Sequence, residues 1–276
     1  MLRLILIAVL VALLLAGAGL ALLAIRDARD TGRLTRALLA GRRVEPPRFD
    51  PAMVAALPEV ARRYFAHAIA PGTPLSPVVE LRMEGEFLLN GNPLPMQATQ
   101  VLAAPGAFVW QAGFGGGLMR IGGSDALAGA ESWTRFGLWG LVPAARVGGT
   151  ADHRRSAGTR AMMESIWAPA ALLPENGAVW EQTGADSARV SFPALGDIAP
   201  MEMVLDTAGA VVSLSALRWS DANAERVFRL QSFGGRVLES REFNGFTIPS
   251  RLELGNLWGT PAYDGFFRAT LTGARY

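Results

Sequence analysis

From Leu4 to Ile25 the chain carries no charged residue across 22 positions. As a helix rising about 1.5 Å per residue, such a run reaches about 33 Å, enough for the hydrocarbon core of a bilayer. A cleaved signal sequence is the competing reading, because Ala16-Gly17-Ala18 offers small residues at a cleavage site. However, Leu20, Leu22, Leu23 and Ile25 carry the run past the roughly 7–15 apolar residues of such a signal. Residues 1–25 are therefore read as a transmembrane anchor, meeting the membrane through Leu4 to Ile25. The chain has no cysteine, which excludes a lipoprotein signal, disulfides, thiolate metal sites and cysteine nucleophiles.

The flanking charges bear on orientation. Arg3 stands alone before the run, whereas Arg26, Arg29, Arg33, Arg36, Arg42 and Arg43 follow it. The positive-inside bias would keep that flank in the cytoplasm, although Asp27 and Asp30 dilute it. A single anchor ahead of a β-domain is also a common way to build an envelope protein. On that analogy we expect a single-pass protein of a bacterial inner membrane with its domain on the extracytoplasmic side, against the direction of the arginine flank. Residues 26–50 read as a basic juxtamembrane helix and linker, with Leu34, Leu38 and Leu39 on one face. They suit a solvated linker, a surface that docks on anionic headgroups, or both. Glu45-Pro46-Pro47 breaks the helix.

The remaining residues, 51–276, suit a single β-rich globular domain. A short helix is centred on residues 57–69, where Val60, Tyr64 and Ala68 repeat at helical spacing, and Pro71-Gly72 stops it. From Val79, apolar Leu81, Met83 and Phe87 alternate with Glu80, Arg82, Glu84 and Glu86, the period of a half-buried strand. Asn90-Gly91 turns the chain into a second strand over 94–103. Further strands are expected at 107–111, 118–122 and 132–136. After a helix come strands at 179–182, 188–192, 201–205, 211–219, 225–231, 236–243, 247–254 and 263–271. Asp206-Thr207-Ala208-Gly209 and Asn244-Gly245 are turns between them. The helix is placed at 156–173, capped by Ser156, with an apolar stripe of Met162, Met163, Ile166 and Trp167; Pro169 must kink or split it. The fold expected is α+β, with a large curved, half-barrel-like antiparallel sheet covered by the kinked helix and preceded by the transmembrane helix.

Catalytic signals are weak. The only histidines, His67 and His153, lie far apart, which argues against zinc. Asp152-His153-Arg154-Arg155-Ser156 has acid, base and hydroxyl types but no nucleophile elbow, and reads as a solvated loop. Arg160 and Glu164, one helical turn apart, suit an ion pair. Every basic residue is arginine, the net charge is +2, and past residue 43 the arginines are interspersed with acids. That is not the basic stripe of a nucleic-acid binder, and no cofactor motif is present.

The aromatic and methionine pattern is more informative. These side chains suit ordinary core, but a curled sheet under a Met/Trp-rich helix can also leave an apolar cavity between the layers. The candidate lining is Met162, Met163, Ile166, Trp167, Trp133, Trp180 and Trp219, with Arg160, Glu164 and Glu181 as polar groups nearby. The function expected is a non-enzymatic, membrane-tethered module that binds a lipid or acyl chain between sheet and helix. A scaffold that binds protein through a sheet edge is one alternative. An enzyme on a membrane substrate, using Glu164, Glu181, Arg160 or His153, is another, and would need at least two of these groups to converge in one pocket.

From Arg155-Ser156-Ala157-Gly158-Thr159-Arg160 through Glu164-Ser165-Ile166-Trp167-Ala168-Pro169-Ala170-Ala171-Leu172-Leu173-Pro174, the chain resembles a bacterial family of membrane-associated proteins of unknown function. Trp180-Glu181, residues 243–250 and Trp258-Gly259 continue the pattern. The resemblance spans most of the domain and implies no activity. More loosely, an N-terminal helix, a long antiparallel sheet and an inserted helix are similar to the half-barrel of periplasmic lipoprotein carriers, as fold analogy alone.

Overall fold

A computed structural model describes all 276 residues. Strands β1 (Val78–Leu89), β2 (Asn92–Ala103), β3 (Ala107–Phe114), β4 (Ile121–Ala128), β5 (Glu131–Leu138) and β6 (Val142–Gly148) form one antiparallel meander. A second meander comprises β7 (Val179–Gln182), β8 (Ser187–Ser191), β9 (Met201–Leu205), β10 (Val211–Ser220), β11 (Arg229–Phe243), β12 (Phe246–Asn256) and β13 (Asp264–Arg275). Pairing of β1 with β13 joins them into one 13-stranded sheet with β6 and β7 at its edges. The sheet is open and curved. Within β1, Gly85 takes φ +156°, and a Cβ there would sit 2.0 Å from the Arg268 carbonyl oxygen, so the close approach of β13 requires glycine. The Asn90-Gly91 and Asn244-Gly245 turns have positive φ at both residues, the geometry whose twist matches a hairpin.

The segment between β6 and β7 must pass from one edge of the sheet to the other, and it does so across the concave face. It starts as α-helix, Ala151–Met163, and continues as 3-10 turns at Glu164–Trp167, Pro169–Leu172 and Pro174–Asn176. The helix thus begins five residues before Ser156. Thr150 is its cap, accepting from the His153 N–H, and Asp152 sits in the first turn. Pro169 opens the second 3-10 turn, so the cover is a kinked and split helix. Two strand boundaries also move. The segment expected at 118–122 is a 3-10 turn, Gly117–Met119, followed by β4. The pieces expected at 225–231 and 236–243 join into β11 only from Arg229 onward, because Gly234-Gly235 stays paired with β10 and β12, while residues 225–228 lie in the connection before it.

A short helix at Glu59–Ala68 closes one end of the fold. Its Tyr64 and Phe65 pack against Trp180, at ring centroid distances of 5.4 and 5.5 Å. At the opposite end lie the turns β1–β2, β3–β4 and β5–β6 and the connections β10–β11 and β12–β13; this is called the hairpin end below.

The N-terminal helix runs unbroken from Leu2 to Ala40, with no joint where the apolar run meets the basic segment. It is long and apolar enough to cross a membrane, a test that a signal sequence also passes. Its last third lies on the convex face of the sheet. Leu34 packs with Val109, Ala126 and Trp133, and the Thr31 and Ser124 hydroxyls are 3.0 Å apart. Arg135 donates to Asp27 and Asp30, both at 2.9 Å, Arg146 also grips Asp27, and Arg33 pairs with Glu131. The Arg146 hydrogen bond, with Arg135 adding charge, holds the Asp27 carboxyl below the usual carboxylate range despite its partial burial. Toward its N-terminus the helix passes Gly140 and Leu141 in the β5–β6 turn and leaves the sheet at the hairpin end.

Candidate functional site

Between the concave face and the crossing helix is a cavity of about 460 Å³. Its walls come mainly from the hairpin end: Phe87, Leu89 and Leu94 about the β1–β2 turn, Phe114 and Ile121 about β3–β4, Phe266 and Phe267 at the start of β13. The aromatic rings pack at a tilt, Phe87 on Phe114 at 4.8 Å and Phe114 on Phe136 at 5.4 Å between centroids. Leu89, Ala144 and Ala145 are exposed and border the mouth. Around that end, Leu118 (83% exposed), Met119, Trp139 (53%), Leu141 and Val142 also face outward.

The helix forms the floor, contributing Arg160, Met163, Glu164, Ile166 and Trp167. Arg160 donates through Nη1 to Asp125 Oδ2 at 2.5 Å and through Nε to Glu164 Oε1 at 2.7 Å. Its side chain is only 16% exposed, those of Asp125 and Glu164 18% and 10%. The guanidinium stacks over Phe108 (4.4 Å) and Trp110 (5.0 Å). Burial lowers its pKa, but the two carboxylates outweigh burial and hold it above the ordinary value. Gln100 donates to Glu164 Oε2 and Thr134 to Asp125 Oδ1, so all four carboxylate oxygens accept a hydrogen bond. Beyond this group, Arg218 reaches in from β10. Its Nε donates to the Ser156 hydroxyl and carbonyl oxygens, and Cζ lies 4.9 Å over the Phe233 ring.

Of the residues expected at a cavity, Met163, Ile166, Trp167, Arg160 and Glu164 border it. The others are elsewhere, each for a local reason. Trp133 alternates onto the convex face, where its indole N–H donates to Ser124 and its ring lies under Arg135. Trp180 belongs to the closed end and donates to the Leu172 carbonyl. Trp219 lies beside the start of the crossing helix, bonded to Asp152 and stacked with Arg155. Met162 is buried in the packed core. Glu181, on the edge strand β7, pairs with Arg189 at the surface. Asp125 and Arg218 drew no notice in the sequence. No group of three or more His, Asp or Glu side chains is placed to hold a metal ion.

His153, expected in a solvated loop, is on the helix and partly buried. Its ring nitrogens lie 2.9 Å from Ser132 Oγ and 3.1 Å from Thr134 Oγ1. Desolvation, with Arg218 adding repulsion against the attraction of Asp125, lowers its pKa. Desolvation lowers that of His67 too. For a base depressed in the folded state, the unfolded chain takes the proton first. Stability should therefore fall as pH drops through about 6.5. A thermal melt series from pH 8 to 5 should show this decline, and His153→Gln should flatten it. An unchanged slope in the variant would remove His153 from the acid response.

Two solved structures match the chain over most of its length. A LolA-superfamily protein from Nitrosomonas europaea matches at 6% identity and a TM-score of 0.41, over 79% of this chain and 90% of its own. A putative outer-membrane lipoprotein-sorting protein domain from Vibrio parahaemolyticus matches at 9% identity and a TM-score of 0.37, over 72% and 84%. No curated protein matches the chain. A family profile does, across residues 47–267, in agreement with the resemblance read from the crossing helix. The chain belongs to the family of unknown function DUF6544.

Proposed function

We propose that this protein is a membrane-tethered module that binds one apolar ligand, a lipid or acyl chain, in the cavity between sheet and crossing helix. The observation that carries the reading is the cavity itself: 18 of its 23 lining residues are hydrophobic, and its volume falls within the roughly 300–1,000 Å³ of small-molecule sites. A core of this size normally fills itself, so a space walled by Phe and Leu is an uncommon exception. The position of the mouth supports a ligand drawn from a bilayer. It opens at the hairpin end, the end from which the apolar helix departs, among outward-facing Leu118, Met119, Trp139 and Leu141. Aromatic and aliphatic side chains so placed suit a lipid interface.

Arg160 and Glu164 do converge on the cavity, the juxtaposition that an enzyme reading requires. Their hydrogen bonds are directed at each other, at Asp125 and at Gln100, which leaves neither carboxylate as an open base and favours binding over chemistry. With the helix in a bilayer, we place the domain on the extracytoplasmic side.

The test is the full-length protein in nanodiscs loaded with a photoreactive acyl lipid. Crosslinks are expected on Phe87, Phe114 and Phe266, and Ala145→Trp at the exposed rim should reduce them at least tenfold. Crosslinks confined to the N-terminal helix would overturn the reading.

A further inference from the structure

The cavity is apolar on its walls but not at its floor, and the polar groups there are unevenly satisfied. Each oxygen of Asp125 and Glu164 has a donor, although the buried Oε1 of Gln100 behind them has none. Several donors are unspent. Arg160 uses Nε and Nη1, which leaves Nη2 without an acceptor. Arg218 uses only Nε, so both of its terminal nitrogens are without one. Both guanidiniums border the cavity. In the same wall the buried indole N–H of Trp110 also lacks a partner. Of these donors Trp110 Nε1 is buried and the guanidinium nitrogens face the cavity space, so the site offers several free donors to an acceptor from outside the chain, a water or a ligand.

The electrostatics point the same way. Arg218 has no carboxylate in direct contact. Burial, aggravated by repulsion from Arg160, pushes its pKa down to about 10, which still leaves it cationic at neutral pH. Asp125, Glu164 and Asp221 attract it through space but none touches it, so its terminal nitrogens have room for a further anion. The planar fork of a guanidinium matches a carboxylate or phosphate through two parallel hydrogen bonds. With the charge at the floor and the aromatic walls leading to the mouth, the occupant has its head inside and its tail toward the hairpin end. That arrangement fits one chain and excludes a bulky headgroup.

We propose that Arg218, assisted by Arg160, binds the anionic head of a single-chain amphiphile whose tail lies along the phenylalanine walls. This rests on the apolar-ligand reading and adds to it the chemistry of the head. The shared feature is an anionic oxygen pair, supplied by a fatty carboxylate or by a monoalkyl phosphate.

The test titrates full-length protein in nanodiscs with three photoreactive probes of equal chain length: a fatty acid, the fatty alcohol and the alkyl phosphate. Crosslinking to cavity peptides is read against empty-disc partitioning. Wild type should bind at least one of the two anions tenfold or more tighter than the alcohol, and the stronger of the two identifies the source of the head. Arg218→Met should erase that preference while it retains the alcohol. Because Arg218 has no ion-pair partner, the variant should fold, and its melt reports this; Arg218→Lys, which keeps charge but loses the fork, should retain only part of the preference. Equal binding of acid, phosphate and alcohol by wild type, or selectivity that survives Arg218→Met, overturns the head assignment and leaves the apolar site standing. Absence of cavity crosslinks with all three probes overturns the apolar-ligand reading itself.

Discussion

Trp167→Ala is expected to destabilise the protein by about 3–5 kcal/mol, the usual range for emptying a buried tryptophan site. For a domain of this size that is roughly 6–20 °C in Tm. Trp167 is 2% exposed and lies where the two layers are stitched together. Its indole N–H donates to the Pro249 carbonyl at 3.0 Å, and its own carbonyl accepts from the Tyr276 hydroxyl at 2.9 Å. Removing the ring would leave the Pro249 carbonyl unpaired and join the lost volume to the existing cavity. The cavity gives the prediction a second part. A long-chain ligand should recover more Tm in the variant than in wild type, because it can occupy the enlarged space. A melt that drops by less than 2 °C would mean that the crossing segment is not fastened as described.

Arg160→Met should be comparably severe, at about 3–5 kcal/mol, for a different reason. The side chain is replaced by one of similar length, so packing changes little. What is lost is the sole cation in contact with Asp125 and Glu164, two mostly buried carboxylates. The diagnostic is repair. Adding Asp125→Asn and Glu164→Gln neutralises both stranded charges and should recover most of the loss. Urea denaturation of the three forms reads this directly. If the triple variant is no more stable than Arg160→Met, the residue acts through its stacking on Phe108 and Trp110 rather than through charge.

What was legible beforehand followed from how far each signal reaches along the chain. The apolar N-terminal run, the alternation in β1 and the two Asn-Gly turns are local patterns, and the structure has them where expected. β6 was missed because every residue from Val142 to Gly148 is exposed, so it has no buried face to alternate with. The first turns of the crossing helix were missed because Asp152, His153 and Arg155 are polar. Their partners, Trp219, Ser132 and the Asp197 carbonyl, come from distant parts of the chain. The tryptophans show a further limit. Alternation tells which residues share a face but not which face is concave, and Trp133 sits on the opposite side from Thr134 and Phe136. Asp125 and Arg218 acquire meaning only from neighbours 35 and 62 positions away, Arg160 and Ser156.

The unbroken N-terminal helix has a mechanical consequence. A floppy leash would let the domain sweep a volume, collect cargo at one surface and deliver it at another. Here the pole is clamped along the outer wall by Asp27, Thr31, Arg33 and Leu34. With that pole planted in a bilayer, the doorway stands at one altitude and one tilt. On the reading proposed above, such a molecule would work as a fixed berth: whatever it received or released would travel to it, through the lipid plane beneath or by a visitor docking overhead.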